Sequence, residues 1–457
     1  MDKKTIANNN VHCLVLPYPA VGHLNPMLEF SKHLQHEGMR VTLVTTHFFS
    51  KSMKQLPPSI ALEKISDGFD NGGFEEAGKN SEVYFDRFWQ VGQQGFAELI
   101  EKLDRTGYPV DCVIYDPFMP WALDVAKRFG IVGAAFLTQN LVVNSIYYHV
   151  HLGKLQAPLT EEVISLPELP QLQHQDMPSF FLLKKADDRF TLGFVVAQFS
   201  NIDKADWILC NSFYELNKEV ADWTMKILPK FRTIGPCVPS TFLDKQIKDA
   251  DEDVVGEFTR DECITWLNDK PKGSVVYVSF GSMAALNEEQ TEEIAYGLRD
   301  SGSYFLWVVR ESEQIKIPKD FEKKSEKGLV VTWCSQLKVL AHEAIGCFVT
   351  HCGWNSTLEA LSLGVPTIAI PQWSDQGTNA KLTVDVWETG TRAPLDEKQI
   401  VRRDALKHCI WEIMESEKGQ EIKSNAMQFK TFAAGAVSNG GSSHKHIAEF
   451  VDSLFHL

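Results

Sequence analysis

A chain of 457 residues, 44% hydrophobic and 23% charged, is globular and too long for one ordinary core, so two domains of about 200 residues are expected. The balance of 45 Lys+Arg against 60 Asp+Glu gives a formal charge of -15. Nucleic acid and anionic membrane are thereby poor partners for the surface as a whole, and an anionic ligand needs a locally built site.

The opening "MDKKTIANNN" lacks the apolar core of a signal peptide, and no run of about 18 apolar residues follows anywhere. Nine cysteines are scattered singly, several on strand-like runs (Cys13, Cys112, Cys210), which suits reduced thiols and a cytoplasmic protein. "VHCLVLP" then reads as a buried strand and "GHLNPMLEFSKHLQHEG" as the helix after it. His23 stands where that helix starts, a place where a lone histidine is as a rule a surface or capping residue. "RVTLVTT" and "DCVIYD" are the next strands, and Asp116 closes the second. Followed by Pro117, Asp116 suits an N-cap ahead of "PWALDVAKRFG". "VGAAFLTQ", "NLVVNSIYYHVHLG" and "DWILCNS" continue the alternation.

Residues 239–262 have no clean period and carry an acidic cluster, which marks a linker. Asp249, Asp251 and Asp253 alternate there like a metal-binding D-x-D pair. They sit in a polar loop, however, and no strand precedes them to aim them into a site, so a solvated charge run is the expectation. The pattern resumes with "SVVYVSFGS", "YFLWVVR", "GLVVTW", "GCFVTH" and "PTIAIP", separated by helical stretches such as "EEQTEEIAYGLRDSG" and "STLEALSLG". Strands apolar throughout and separated by helices predict an α/β protein with parallel sheets covered on both faces. The expected organisation is an N-terminal doubly wound domain over 1–238, the linker at 239–262, a second such domain over 263–440 and a C-terminal helix over 441–457. A ligand cleft belongs between the carboxyl ends of the two sets of strands.

"THCGWNST", residues 350–357, packs donors into a turn between a strand and a helix. The free N–H groups and positive dipole end of that helix would hold a phosphate. Ser356 and Glu359 also fit a capping box, which needs no ligand. A zinc site of His342, Cys347, His351 and Cys352 is not expected, because two of the four are adjacent and the spacings match no closed tetrahedral pattern.

Extended both ways, this segment becomes "WCSQLKVLAHEAIGCFVTHCGWNSTLEALSLGVPTIAIPQWSDQ", Trp333 to Gln376. It closely resembles the signature box of the plant family 1 UDP-glycosyltransferases, and "PYPAVGHLNP", "VIYDPFMPWALDVA" and "VYVSFGS" are similar to further landmarks of that family. The resemblance covers essentially the whole chain. It implies the GT-B fold, two Rossmann-like domains facing across a cleft, with UDP-sugar held by the C-terminal one and a small apolar acceptor by the N-terminal one. Trp333 matches the residue that stacks on uracil, Cys334 the backbone that reads the base edge, and Gln336 and Glu359 the ribose contacts. His351, Asn355, Ser356 and, across the cleft, Ser282 match the diphosphate clamp. Trp354, Asp375 and Gln376 match the sugar contacts, and a Gln closing the box implies glucose. His23 matches the family's general base and Asp116 its partner acid. Val21 stands where the family usually has Gln. Thr138, Gln139, Phe180 and Trp373 fall where the acceptor pocket is lined.

The resemblance therefore implies an inverting, metal-independent glucosyltransferase, monomeric, with UDP-glucose as co-substrate and no cofactor. "ISDGFDNGGF", "PWALDVAKRFG" and "DMPSFF" are nearest to a branch acting on salicylate and other carboxylates, triterpenoids, steroids and flavonoids. Two rival readings are a nucleotide-sugar sensor without transfer and an epimerase or phosphorylase on the same scaffold.

Overall fold

A computed structural model describes residues 11–53, 56–185, 187–243, 262–319, 321 and 327–457. Asp249, Asp251, Asp253 and most of the expected linker lie outside the described residues. Two parallel sheets carry the fold. The strands of the first half are β1 (His12–Leu16), β2 (Arg40–Thr46), β3 (Ala61–Ile65), β4 (Cys112–Tyr115), β5 (Val132–Leu137), β8 (Trp207–Cys210) and β9 (Phe231–Thr233), in the order β3-β2-β1-β4-β5-β8-β9. A small antiparallel pair, β6 (Val163–Ile164) and β7 (Leu172–Gln173), stands apart from them. The second sheet is ordered β12-β11-β10-β13-β14-β15, from β10 (Val275–Ser279), β11 (Tyr304–Val308), β12 (Gly328–Val331), β13 (Ile345–Thr350), β14 (Thr367–Ala369) and β15 (Gly390–Arg392). Each half is a Rossmann-like domain, and together they are GT-B.

The helices of the first half that bear on the site are α1 (Val21–His36), α2 (Ser81–Arg105), α3 (Trp121–Arg128), α4 (Leu141–His151), α5 (Asp188–Ala197) and α6 (Lys218–Ile227). Those of the second are α7 (Glu262–Asn268), α8 (Glu288–Ser301), α9 (Gln336–Leu340), α10 (Trp354–Leu363), α11 (Gln376–Lys381), α12 (Arg403–Glu415), α13 (Glu417–Val437) and α14 (Ser442–Phe455). Asn80 and Asn140 begin α2 and α4 by accepting from the backbone N–H of Val83 and Val142. None of the helices among the described residues is long and apolar enough to cross a membrane.

The chain finishes on the domain where it began. Phe450 of α14 is fully buried and packs 6.2 Å from Phe30 of α1, in the same cluster as Leu28, Leu34 and Phe136. Polar contacts set its direction. Arg232 grips Glu449 through two bonds of 2.6 and 2.7 Å, and Ser443 donates to the Gly235 carbonyl at 2.5 Å. The domains are pinned elsewhere by Trp387, donating to the Leu216 carbonyl at 3.2 Å, and by Arg392, 3.0 Å from Asp176.

The apolar part of this return carries its energy. Truncation of a buried aromatic costs about 3–5 kcal/mol, whereas a partly exposed ion pair is worth about 1 kcal/mol or less. Phe450→Ala should lower the thermal midpoint by several times the shift produced by Glu449→Gln, as measured by calorimetry on the full chain.

Candidate active site

The first constellation grows from the ends of two neighbouring strands. β1 and β4 pair in parallel with Leu16 opposite Tyr115, and the Asp116 N–H extends the ladder to the Leu16 carbonyl at 2.9 Å. Both chains thus leave the sheet at one level. After β1 the backbone enters α1, whose first turn places His23 above the sheet edge. Asp116 is fully buried, with one carboxylate oxygen accepting from the Phe118 N–H at 3.0 Å and the other 2.5 Å from His23 Nδ1. Thr138 Oγ1 lies 3.1 Å from the same nitrogen. With Nδ1–H committed to the carboxylate, Nε2 is left as the proton acceptor. Asp116 is not the N-cap of α3, which begins after Pro120. Its side chain closes a short Asx turn and holds the imidazole.

The expected lining residues fall into two groups. Thr138 touches His23, and Gln139 follows it with its side-chain oxygen buried. Phe180 and Trp373 form an edge-on pair, 5.4 Å between centroids, joined by Ser179 donating to and accepting from Ser374. Trp373 is the more exposed of the two, at 38%. A third group carries no expectation from the sequence. Tyr18 is edge-on to His23 at 5.2 Å, Phe118 is 5.0 Å from it, and Phe194 packs 5.0 Å from Phe118. Phe85 stacks on Phe194 at 3.9 Å. The aromatic run "YFDRFW" at 84–89 was the available signal, but helical spacing alone cannot show which rings face a neighbour across the domain.

The second constellation lies at the carboxyl end of the other sheet. Past β12, Trp333 is half-buried, and the Cys334 thiol sits 3.4 Å from the Tyr277 hydroxyl. Gln336 donates to Ser356 at 2.9 Å and to Glu359 at 2.7 Å, drawing three residues of the box together. α10 is capped by Gly353, with no side chain on its first N–H groups. Ser356 is therefore inside the helix, and the capping-box reading of Ser356 with Glu359 is overturned. The uncapped end leaves donors for an anion.

His351 is wedged between two glycines. A Cβ added to Gly281 or Gly353 would come within 2.8 or 2.6 Å of its ring, and Gly281 also has φ +71°. Burial pushes the His351 imidazole down to about 4, so the ring is neutral at pH 7 and offers an N–H. The Ser282 carbonyl accepts from Arg310 at 2.6 Å, which fixes the loop after β10 while leaving the serine side chain exposed. Asn355 donates across the cleft to the carbonyl of Gly22 at 2.9 Å, the residue before His23.

Asp375 and Gln376 open α11. Gln376 accepts from the backbone N–H groups of Gln372 and Trp373 at 2.8 and 2.9 Å, so its oxygen shapes the turn and its amide nitrogen is the group left for a ligand. Burial pushes the Asp375 carboxyl upward, against the pull of an Asn379 hydrogen bond and of the nearby His23. Trp354 is placed by its side chain. Its indole is buried in the core of the first domain and donates to the Asn211 carbonyl at 2.9 Å, so the side chain anchors one domain to the other and only its backbone is available to a sugar.

A two-sheet α/β scaffold with an uncapped helix start facing a His–Asp pair across its cleft defines a GT-B enzyme. Residues 259–433 match the family described as UDP-glucoronosyl and UDP-glucosyl transferase. The chain is 43% identical over 451 residues to mogroside I-E synthase of Siraitia grosvenorii, covering 97% of this chain and 98% of that protein. It is 44% identical over 457 residues to UDP-glycosyltransferase 74E1 of Arabidopsis thaliana, covering 97% and 99%. Among solved structures, Os79 from O. sativa in complex with UDP superposes with a TM-score of 0.90 at 36% identity, over 97% of this chain and all of that one. The chain belongs to the plant family 1 UDP-glycosyltransferases, and transfers sugar from a UDP-sugar to small molecules.

The half-buried His351 makes stability depend on pH. From 6.5 down to about 4 the unfolded imidazole takes a proton that the folded one refuses, so stability falls as pH falls through that window and no further below it. His351→Asn should flatten the decline in thermal midpoint between pH 7 and 4.5 relative to wild type.

Proposed function

We propose that the protein is an inverting, UDP-glucose-dependent O-glucosyltransferase in which His23 is the general base and Asp116 its partner. The observation that carries this reading is the 2.5 Å contact of Asp116 with His23 Nδ1, next to the Gly22 carbonyl that receives Asn355 from the opposite helix end. That link sets the base against the expected position of the diphosphate. An acceptor hydroxyl gives its proton to Nε2 as its oxygen bonds to the anomeric carbon, and the bond from that carbon to the UDP oxygen breaks on the far side. Asp116 holds the tautomer and steadies the imidazolium. Charge on departing UDP is met by the N–H groups opening α10, with His351, Ser356 and Ser282 as further donors. With the base and the leaving group on opposite faces of the sugar, a single displacement turns an α-linked donor into a β-linked product.

Uracil stacks on Trp333, with Cys334 backbone at its edge, and Gln336 and Glu359 take the ribose hydroxyls. Asp375 and the Gln376 amide take the sugar hydroxyls. Support for glucose and for β-linkage comes from the relative named flavonol 7-O-beta-glucosyltransferase UGT74F1 of Arabidopsis thaliana, 42% identical over 452 residues. The nine free thiols favour a reducing, cytoplasmic setting.

Incubation with UDP-glucose and a panel of phenols, assayed for free UDP, tests the reading as a whole. Release should require acceptor and survive EDTA, because dipoles and neutral donors are assigned the work a metal does elsewhere. Tight UDP binding without release would make the protein a sensor. Loss of activity in EDTA, restored by magnesium or manganese, would assign the diphosphate to a metal.

The base is tested separately. General base catalysis contributes about 10² to 10⁴ when the nucleophile must lose a proton. A phenol with a pKa of about 10 needs that help at pH 7, and a carboxylic acid at about 4 arrives ionised. His23→Ala should nearly abolish glucoside formation on hydroxyls while sparing much of any ester formation, with Asp116→Asn following in milder form. Survival of hydroxyl transfer within a few-fold would remove His23 from the role of base.

A further inference from the structure

Asp67, in the segment "ISDGFDNGGF", has no part in the reaction described above, yet its carboxyl is 1% exposed. Both of its oxygens are taken by neutral donors. One accepts from the Phe69 N–H at 2.9 Å, and the other from the Tyr84 hydroxyl at 3.0 Å. Burying a carboxyl against a phenol sacrifices more hydration than an apolar contact closing the same loop, so the bond calls for a reason beyond loop closure.

The reason lies in what Tyr84 touches. Its ring stacks on Phe69 at 5.7 Å and meets Phe85 edge-on at 5.6 Å. Phe85 lies face to face with Phe194 at 3.9 Å and 6.0 Å from Tyr18, the ring set edge-on to His23. A continuous file of rings therefore runs from the Asp67 carboxyl to the base. The loop that carries Asp67 is fitted tightly to the same helix. Gly68 has φ +84°, and a Cβ there would meet the Arg87 side chain at 2.5 Å. Apolar contacts fix how close rings lie but leave them free to slide. A directional bond at the root of the file fixes their angle.

We propose that Asp67 is a positioning residue for the acceptor. Its hydrogen bond to Tyr84 sets the tilt at which Phe85 and Tyr18 face the space beside His23, and so the fit of a planar, apolar ring-bearing acceptor. The inference rests on the reading of His23 as the base that faces the acceptor.

The test uses 2-naphthol as the planar acceptor, with Asp67→Ala, Tyr84→Phe and the double variant. Tyr84→Phe keeps the packing of the ring and removes only the bond, so it separates loss of the bond from a folding defect in Asp67→Ala. In each variant the KM for 2-naphthol should rise about tenfold, with kcat at saturation within about twofold, the pattern of lost uniform binding of the acceptor. UDP affinity should be unchanged, and the double variant should be no worse than either single one, since both break one interaction. An unchanged KM in Tyr84→Phe, or parallel losses in kcat and UDP affinity, would overturn the proposal. Calorimetric titration of 2-naphthol into UDP-loaded protein separates this from the assigned function. If wild type binds naphthol and transfers nothing, the assigned reaction is wrong, while weakened binding in the variants still supports the role of Asp67.

Discussion

The contact between His23 and Asp116 depends on the register between two strands. Because Leu16 lies opposite Tyr115, the residues that follow emerge at the same height, and one more ladder bond carries Asp116 to the side of α1. A slip of one residue would turn every side chain of β4 to the other face of the sheet, and the carboxylate would leave the imidazole. The register is itself held by burial, since Leu14, Leu16, Val113 and Tyr115 are all buried in one cluster and Cys13, Val15, Cys112 and Ile114 in the cluster on the other face. Packing on both faces of a central strand pair thus holds Asp116 against His23 at the rim of the core.

The donor half solves a different problem, that of holding a dianionic bridge on a chain of strongly negative charge. The residues assigned to the diphosphate, Ser282, His351, Asn355 and Ser356, carry no formal positive charge at pH 7, because burial keeps His351 neutral. Attraction comes from oriented N–H groups, which are fixed by the backbone and need no reorganisation when charge develops on the leaving group. In the proposed reading such a site would favour a nucleotide over other anions by shape, with Trp333 and Gln336 supplying that shape at the base and ribose end.

The sequence made some of this legible and hid the rest, for reasons of range. The buried strands and the box between Trp333 and Gln376 are local patterns, and they predicted two parallel-sheet domains and the turn at 350–357. Ser356 misled, because S-x-x-E spacing defines a capping box only if the helix starts at the serine, and the helix starts two residues earlier. The bond of the Trp354 indole to Asn211, far away in the chain, was hidden in another way, because nothing local to the motif names its partner. The rings around His23 were invisible for the same reason, since Tyr18, Phe85, Phe118 and Phe194 come from four separate segments and meet only in the folded domain.

The return of α14 to the first domain has a bearing on synthesis. Phe450 completes a cluster whose other members lie mainly before residue 240. A nascent chain can form most of the first sheet early, but one side of that domain stays uncovered until α14 has been made. The apolar surface around Phe30 and Trp207 is then exposed for the whole time the second domain is being made, and is the place where a chaperone would find the unfinished protein.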